Sequence, residues 1–291
     1  MAATLTKAGV DSPRLCARLL CAEALGLDKL GVALEPGREL SEAELERLET
    51  LTGRRASGEP LAHILGRREF FGRDFRVTRH TLVPRPETEL LVETALELLP
   101  EAPLRFADLG AGTGCIGITL ACERRQWRGV LLEKSPEALA VAAANAARLL
   151  SGEGQGSRPA LFPREPRRAP SSRLMPVLGD IFAPPLRAGA IELVISNPPY
   201  IGESERALVM DEVLRFEPKT ALFSPAEGLA HLAAVCEAAR RLLVPGGLVI
   251  LEHGAAQGVA VRGLLAGRGF TRIETLRDLA GLERCSLGRR G

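Results

Sequence analysis

The run at 104–114, LRFADLGAGTG, constrains this chain more than any other stretch. Its apolar half reads as a β-strand, and Gly110, Gly112 and Gly114 read as a tight turn that opens a helix. Glycine tolerates positive φ and lets backbone N–H groups come close to a ligand. A strand passing so abruptly into a helix belongs to a parallel sheet, and the chain around it keeps that rhythm. Strands are expected at 105–109, 129–133, 191–196, 248–252 and 270–276, with helices after Pro86, from Gly114, and over 136–150, 225–243 and 255–268. Such alternation predicts an α/β fold with helices on both faces of the sheet.

Ahead of it, the pattern from Ser12 to about Gly58 is helical. Leu15, Leu19, Leu20 and Leu25 fall on one face and Leu45, Leu48 and Leu51 on another, with Ser41 and Glu44 spaced as a capping box. The expected organisation is a helical domain over 1–75, a connector hairpin over 76–85 and the α/β domain over 86–291. A Gly-, Pro-, Ser- and Arg-rich stretch at 151–174 reads as a flexible insertion, its arginines offering at most a surface for RNA or an acidic partner.

Composition bounds the function. Lys plus Arg total 38 and Asp plus Glu 36, a net charge of +2, which does not describe a surface built to coat a polyanion. The six cysteines form no C-x-x-C pair, and His63, His80, His231 and His253 lack metal-ligand spacing, so free thiols and no metal are expected. Charged residues interrupt the first twenty positions, and no long uncharged apolar run follows. A cytoplasmic protein without membrane contact is the expectation.

Two constellations carry chemistry. Glu133 ends the second strand roughly 20 residues beyond the glycine turn, where an acid can accept hydrogen bonds from both hydroxyls of a ribose. The string from Gly112 through Gly114 to Gly117 also satisfies a dinucleotide fingerprint. Asp108, however, puts a carboxylate at the strand end, where it repels a pyrophosphate and suits a cationic amino or sulfonium group. S-adenosylmethionine has those charges and no phosphate. The second constellation is Asn197-Pro198-Pro199-Tyr200 at the end of strand 191–196. Two prolines remove both N–H donors, leaving the Asn197 side-chain oxygen and the Pro198 carbonyl as acceptors for an NH₂ group, with Tyr200 as an aromatic wall. A planar NH₂ held there beside an activated methyl donor can be methylated through positioning, without a strong side-chain base. A strand-terminating turn is the plain structural reading of the same residues. A nicotinamide oxidoreductase would need a nicotinamide-binding half that the chain does not display, and a non-catalytic binding module sits poorly with intact Asp108 and Asn197.

These residues sit among others: GEPLAHILG at 58–66, EFFG at 69–72, LVPRPETE at 82–89, RFEP at 215–218, LEHG at 251–254, and Glu283-Arg284 with LGR at 287–289. Together they resemble the HemK/PrmC-type protein-(glutamine-N5) methyltransferases over nearly the whole chain. NPPY alone is shared with adenine-N6 nucleic-acid methyltransferases, which remain the alternative. The resemblance implies a class I S-adenosylmethionine-dependent methyltransferase fold, Rossmann-like with a seven-stranded sheet, behind a small N-terminal α-helical domain. It implies methylation of the glutamine in the Gly-Gly-Gln motif of class 1 peptide-chain release factors, modulating translation termination, with S-adenosyl-L-homocysteine as product. Asp108, Gly110, Ala111, Gly112, Thr113, Gly114, Glu133, Asp180, Ile181 and Asn197 would bind the cofactor. Asn197, Pro198 and Tyr200 would be catalytic, and Pro199, Arg85, Pro86 and Glu87 would join them at the substrate. Glu133 stands where that family more often has aspartate, and Ile181 where it commonly has a bulky aromatic. Release factors are the expected partners of a monomer with no stable nucleic-acid binding.

Overall fold

The computed structural model describes residues 1–34, 37–151 and 173–291. Most of the insertion expected at 151–174 therefore lies outside the described residues. The N-terminal unit consists of helices α1 (Ala2–Lys7), α2 (Pro13–Leu25), α3 (Lys29–Leu34), α4 (Glu42–Ala56) and α5 (Leu61–Leu65). Leu5, Cys16, Leu20, Leu48, Leu51 and Ile64 form their common core. Leu15 and Leu45, expected on the buried faces, are exposed instead, because small residues such as Ala17 and Ala24 let the helices close over a narrower stripe. Helix α4 starts at the capping box read from sequence: the Ser41 hydroxyl accepts from the Glu44 N–H, and the Glu44 carboxylate accepts from the Ser41 N–H.

The hairpin of the connector lies earlier than 76–85. Strands β1 (Arg67–Phe70) and β2 (Arg73–Arg76) pair antiparallel around Phe71 and Gly72, both at positive φ. Glycine permits the reversal there, and Phe70 meets Phe75 edge to face at 6.0 Å beneath it, so packing closes the hairpin before residue 77.

The α/β domain runs α6 (Glu89–Leu98), β3 (Arg105–Leu109), α7 (Cys115–Glu123), β4 (Arg128–Glu133), α8 (Pro136–Leu150), β5 (Leu174–Leu178) and β6 (Ile191–Ser196). It continues through α9 (Asp211–Phe216), α10 (Leu229–Leu242), β7 (Leu243–Glu252), α11 (Gly258–Ala266), β8 (Phe270–Arg277) and β9 (Glu283–Arg290). Its seven-stranded sheet has the order β5-β4-β3-β6-β7-β9-β8, parallel from β5 to β7, with β9 antiparallel to both its neighbours. Alternation along the strands sorts two cores. Phe106, Leu193, Ile195, Leu248 and Ile250 pack on one face with α6, α7 and α8. Ala107, Leu109, Val194, Val249 and Leu251 pack on the other with α10 and α11. No described helix is long and apolar enough to cross a membrane.

After β3 the chain winds outward through β4 and β5, then returns to place β6 on the other side of β3. That reversal opens a crevice at the carboxyl ends of β3 and β6, the position where open α/β sheets take ligands. Asn145 of α8 ties the hairpin to the glycine turn beside the crevice. Its Oδ1 accepts from the Arg76 N–H at 2.9 Å, and its Nδ2 donates to the Arg76 and Thr113 carbonyls at 3.1 and 2.9 Å. Asn145→Ala strands all three backbone groups, and is expected to lower unfolding free energy by about 1–3 kcal/mol in urea titration. A loss under about 0.5 kcal/mol would show that water replaces the amide at no cost.

Candidate active site

A cavity of about 280 Å³ fills the crevice. The glycine turn lines it through Gly110, Ala111, Gly112 and Thr113, with Gly110, Gly112 and Gly114 at φ of 79°, 55° and 79°; Gly114, expected at the cofactor, is not among the lining residues and packs against Ile118. Two of its N–H groups, from Gly110 and Ala111, are spent inside the turn on the Leu132 carbonyl, at 2.8 and 2.9 Å. The turn's open face lies at Gly112, where an added Cβ would meet nothing within 4 Å. Gly117 has a packing role: a Cβ there would lie 2.5 Å from Leu131 and 3.1 Å from an Asp108 oxygen.

Glu133 lines the cavity and is held by backbone. Its Oε2 accepts from the Gly112 N–H at 2.9 Å, and its Oε1 from the Lys134 and Ser135 N–H groups at 2.8 and 2.9 Å. The extra methylene relative to aspartate lets the carboxylate reach the glycine turn. With roughly four acceptor positions on a carboxylate, about one remains for a ligand hydroxyl while Gly112 stays bound. Asp180 and Ile181 line the same end. Lys134 pairs with Asp180 at 2.8 Å, and this partner together with the Phe182 N–H holds the Asp180 carboxyl below the usual range. Phe182, next to Ile181, is exposed and packs edge to face on His231 at 5.1 Å, so Ile181 and the His231 ring, not Phe182, line the cavity here.

Asp108 is placed differently from the expectation that it faces a cationic ligand. It is fully buried, outside the cavity lining, with Oδ2 accepting from the Gly117 N–H at 2.9 Å in the first turn of α7. Strand alternation points the side chain under that helix, where it stabilises unpaired N–H groups of the first turn. Its other oxygen has no described partner. Burial first, and the nearby Glu133 charge after it, hold this carboxyl up at about 7.

The opposite end of the cavity is built from Asn197 and Pro199 after β6 and from Arg85 and Thr88. Pro198, Tyr200, Pro86 and Glu87, expected against the substrate, do not line it among the described residues. Tyr200, the chain's single tyrosine, turns its ring away and donates its hydroxyl to Glu252 Oε1 at 3.1 Å. Asn197 Nδ2 donates to Thr88 Oγ1 at 3.0 Å, and Thr88 Oγ1 donates to Glu252 Oε2 at 2.7 Å. Glu217, at the end of α9, accepts from the Val83 N–H at 3.1 Å and from Arg85 at 2.7 Å, fixing the 83–85 segment as a roof. Arg55 of α4 reaches Glu212 of α9 at 2.7 Å, joining the helical domain to the same roof. Thr88 was not singled out by sequence; it lies within PRPETE, but its partners are 109 and 164 residues away. No group of three His, Cys, Asp or Glu residues among those described is arranged to hold a metal ion.

Comparison with known proteins agrees with this layout. Residues 1–66 match the family model of the PrmC N-terminal domain, and residues 86–152 that of the methyltransferase small domain. The chain is 42% identical over 288 residues to the release factor glutamine methyltransferase of Nitratidesulfovibrio vulgaris, covering 98% of this chain and 91% of that one. The protein of the same name from Escherichia coli K12 is 36% identical over 279 residues, covering 96% and 93%. Among solved structures, a methyltransferase from Pyrococcus furiosus superposes with a TM-score of 0.52 at 16% identity, covering 84% of this chain and 99% of that one, which shows a shared fold.

The buried Asp108 gives a pH signature. An unfolded chain releases this proton near 3.8 and the folded chain near 7, so the folded state holds the extra proton between those values. Stability is then fully present below about pH 4 and falls as pH rises to 7, by up to roughly 4 kcal/mol. Melting temperatures from pH 4 to 8 should fall more steeply for the wild type than for Asp108→Asn. Parallel curves would mean that Asp108 does not hold its proton in the folded chain.

Proposed function

This chain belongs to the release factor glutamine methyltransferase family, and we propose that it methylates the glutamine side-chain nitrogen (N5) in the Gly-Gly-Gln motif of class 1 peptide-chain release factors. S-adenosyl-L-methionine is the methyl donor, and the consequence is modulation of translation termination. The reading rests on Asn197: a buried chain of hydrogen bonds takes up its NH₂ group and leaves its Oδ1 as an acceptor beside the cavity.

The residues present fit the donor. The backbone at Gly112 has no neighbour where a side chain would stand, so a ligand can approach it closely. Glu133 offers a fixed acceptor to a ribose hydroxyl, and Ala111, Ile116, Leu132 and Ile181 offer apolar wall to a purine. The arginine and the lysine that line the cavity are already paired, Arg85 with Glu217 and Lys134 with Asp180, which suits the site to a ligand without phosphate. Bound there, S-adenosylmethionine supplies a methyl group on a sulfonium that leaves readily.

The chain's own residues supply position and charge. A glutamine amide nitrogen is planar and weakly nucleophilic. Asn197 Oδ1, accepting one of its N–H bonds, holds it in one orientation and favours the electron-rich nitrogen that attack requires. Alignment of this kind favours the transition state over the ground state, so its loss appears in turnover. Pro198 and Pro199 lack N–H groups and so present no donor that competes for the substrate oxygen.

The test is methyl transfer from labelled S-adenosylmethionine to a purified class 1 release factor and to the same factor with its Gly-Gly-Gln glutamine changed to alanine. Label is expected on the first alone; label on both, or on nucleic acid in place of either, would overturn the reading. Asn197→Ala should keep cofactor affinity and lower turnover about 100-fold or more, as with removal of other preorganised hydrogen-bonding groups. Turnover near that of the wild type would remove Asn197 from the reaction.

A further inference from the structure

The hydroxyl of Thr88 stands between Asn197 and Glu252, and the proton inventory of these groups permits few arrangements. Glu252 ends β7 at 1% exposure, and Thr88 is 2% exposed. Thr88 donates its single hydroxyl proton to Glu252 Oε2, at 2.7 Å. The Thr88 oxygen is then an acceptor, and of the two ends of the Asn197 amide only the NH₂ can fill it, at 3.0 Å. Tyr200 donates to the other Glu252 oxygen at 3.1 Å. Burial, with the Glu87 charge adding to it, holds the Glu252 carboxyl above its ordinary value, and the Thr88 and Tyr200 hydroxyls and the Arg284 charge offset only part of that rise.

We propose that Thr88 and Glu252 are positioning residues of the transferase: their hydrogen-bond chain holds the Asn197 amide with its NH₂ turned inward and its Oδ1 toward the substrate nitrogen. The assignment rests on the reading of Asn197 as the acceptor of the glutamine amide. An Asn197 turned the other way would set NH₂ against NH₂, and the substrate nitrogen would lose its acceptor. Rotation about the last side-chain bond of asparagine is soft, so packing alone does not choose between the two faces. The donor and acceptor pattern does.

Thr88→Val removes the hydroxyl at nearly constant volume, and Thr88→Ser keeps it. Steady-state methylation of a release factor by full-length Thr88→Val should show kcat reduced about 10- to 100-fold, with KM for the factor and S-adenosylmethionine affinity within about threefold. Thr88→Ser should return kcat to within about threefold of the wild type. Glu252→Gln offers one acceptor for two hydroxyls, so it should lower kcat as well. The double variant Thr88→Val/Glu252→Gln should lose less than the product of the single effects, because both act through one amide. Wild-type kcat in Thr88→Val, an equal loss in Thr88→Ser, or multiplicative effects would overturn the assignment while leaving the substrate reading intact. A wild-type enzyme that binds S-adenosylmethionine yet leaves the factor unmethylated overturns the substrate reading, and this assignment falls with it.

Discussion

The parting of the chain on either side of β3 is the constraint from which the rest follows. β3 is bonded to β4 on one side and β6 on the other, and the connections after them leave in opposite directions. A crevice must open where they part. The carboxyl ends of β3, β4, β5 and β6 each contribute to its lining, which brings Gly112, Glu133, Ile181 and Asn197 to one cavity from distant parts of the sequence. The two cores on the faces of the sheet hold those strand ends in place, so the site is carried on the most buried part of the molecule.

Three buried carboxylates organise the surroundings in different ways. Asp108 accepts from Gly117 and fastens the glycine turn to α7. Glu217 holds the roof through Val83 and Arg85. Glu252 gathers Thr88 and Tyr200 beneath the cavity. A buried carboxyl group costs free energy unless it is hydrogen-bonded, and the backbone, hydroxyl and guanidinium donors to Asp108 Oδ2, Glu217 and Glu252 restrict which geometries the site can adopt. The Arg55–Glu212 pair extends that order to the helical domain.

Much of this was legible in sequence, for local reasons. Strand, glycine turn and helix are written within eleven residues at 104–114, and β3, α8 and β6 occupy the residues expected of them. Two strands were not foreseen. β5 carries Pro176 and follows a Pro- and Gly-rich stretch, while β9 has only four buried residues between charged ends, so neither shows a sustained apolar period. Helix α10 begins at Leu229, later than 225, because Ala226, Glu227 and Gly228 take positive φ. Asp108 sits at the expected strand end, yet the direction of its side chain depends on where α7 packs. Tyr200 faces Glu252 because β7 lies beside β6, a neighbourhood the sequence does not spell out. The Thr88–Asn197–Glu252 chain has the same origin, since its members share no local pattern.

On the proposed reading, the interior fixes Asn197 as the acceptor of a substrate amide. The most direct measurement is a crystal structure of the chain with S-adenosyl-L-homocysteine and a Gly-Gly-Gln peptide. The glutamine nitrogen is expected within hydrogen-bond distance of Asn197 Oδ1, with Asn197 Nδ2 still on Thr88. A glutamine amide bound away from Asn197, or an Asn197 detached from Thr88 and donating its NH₂ to the substrate oxygen, would contradict it.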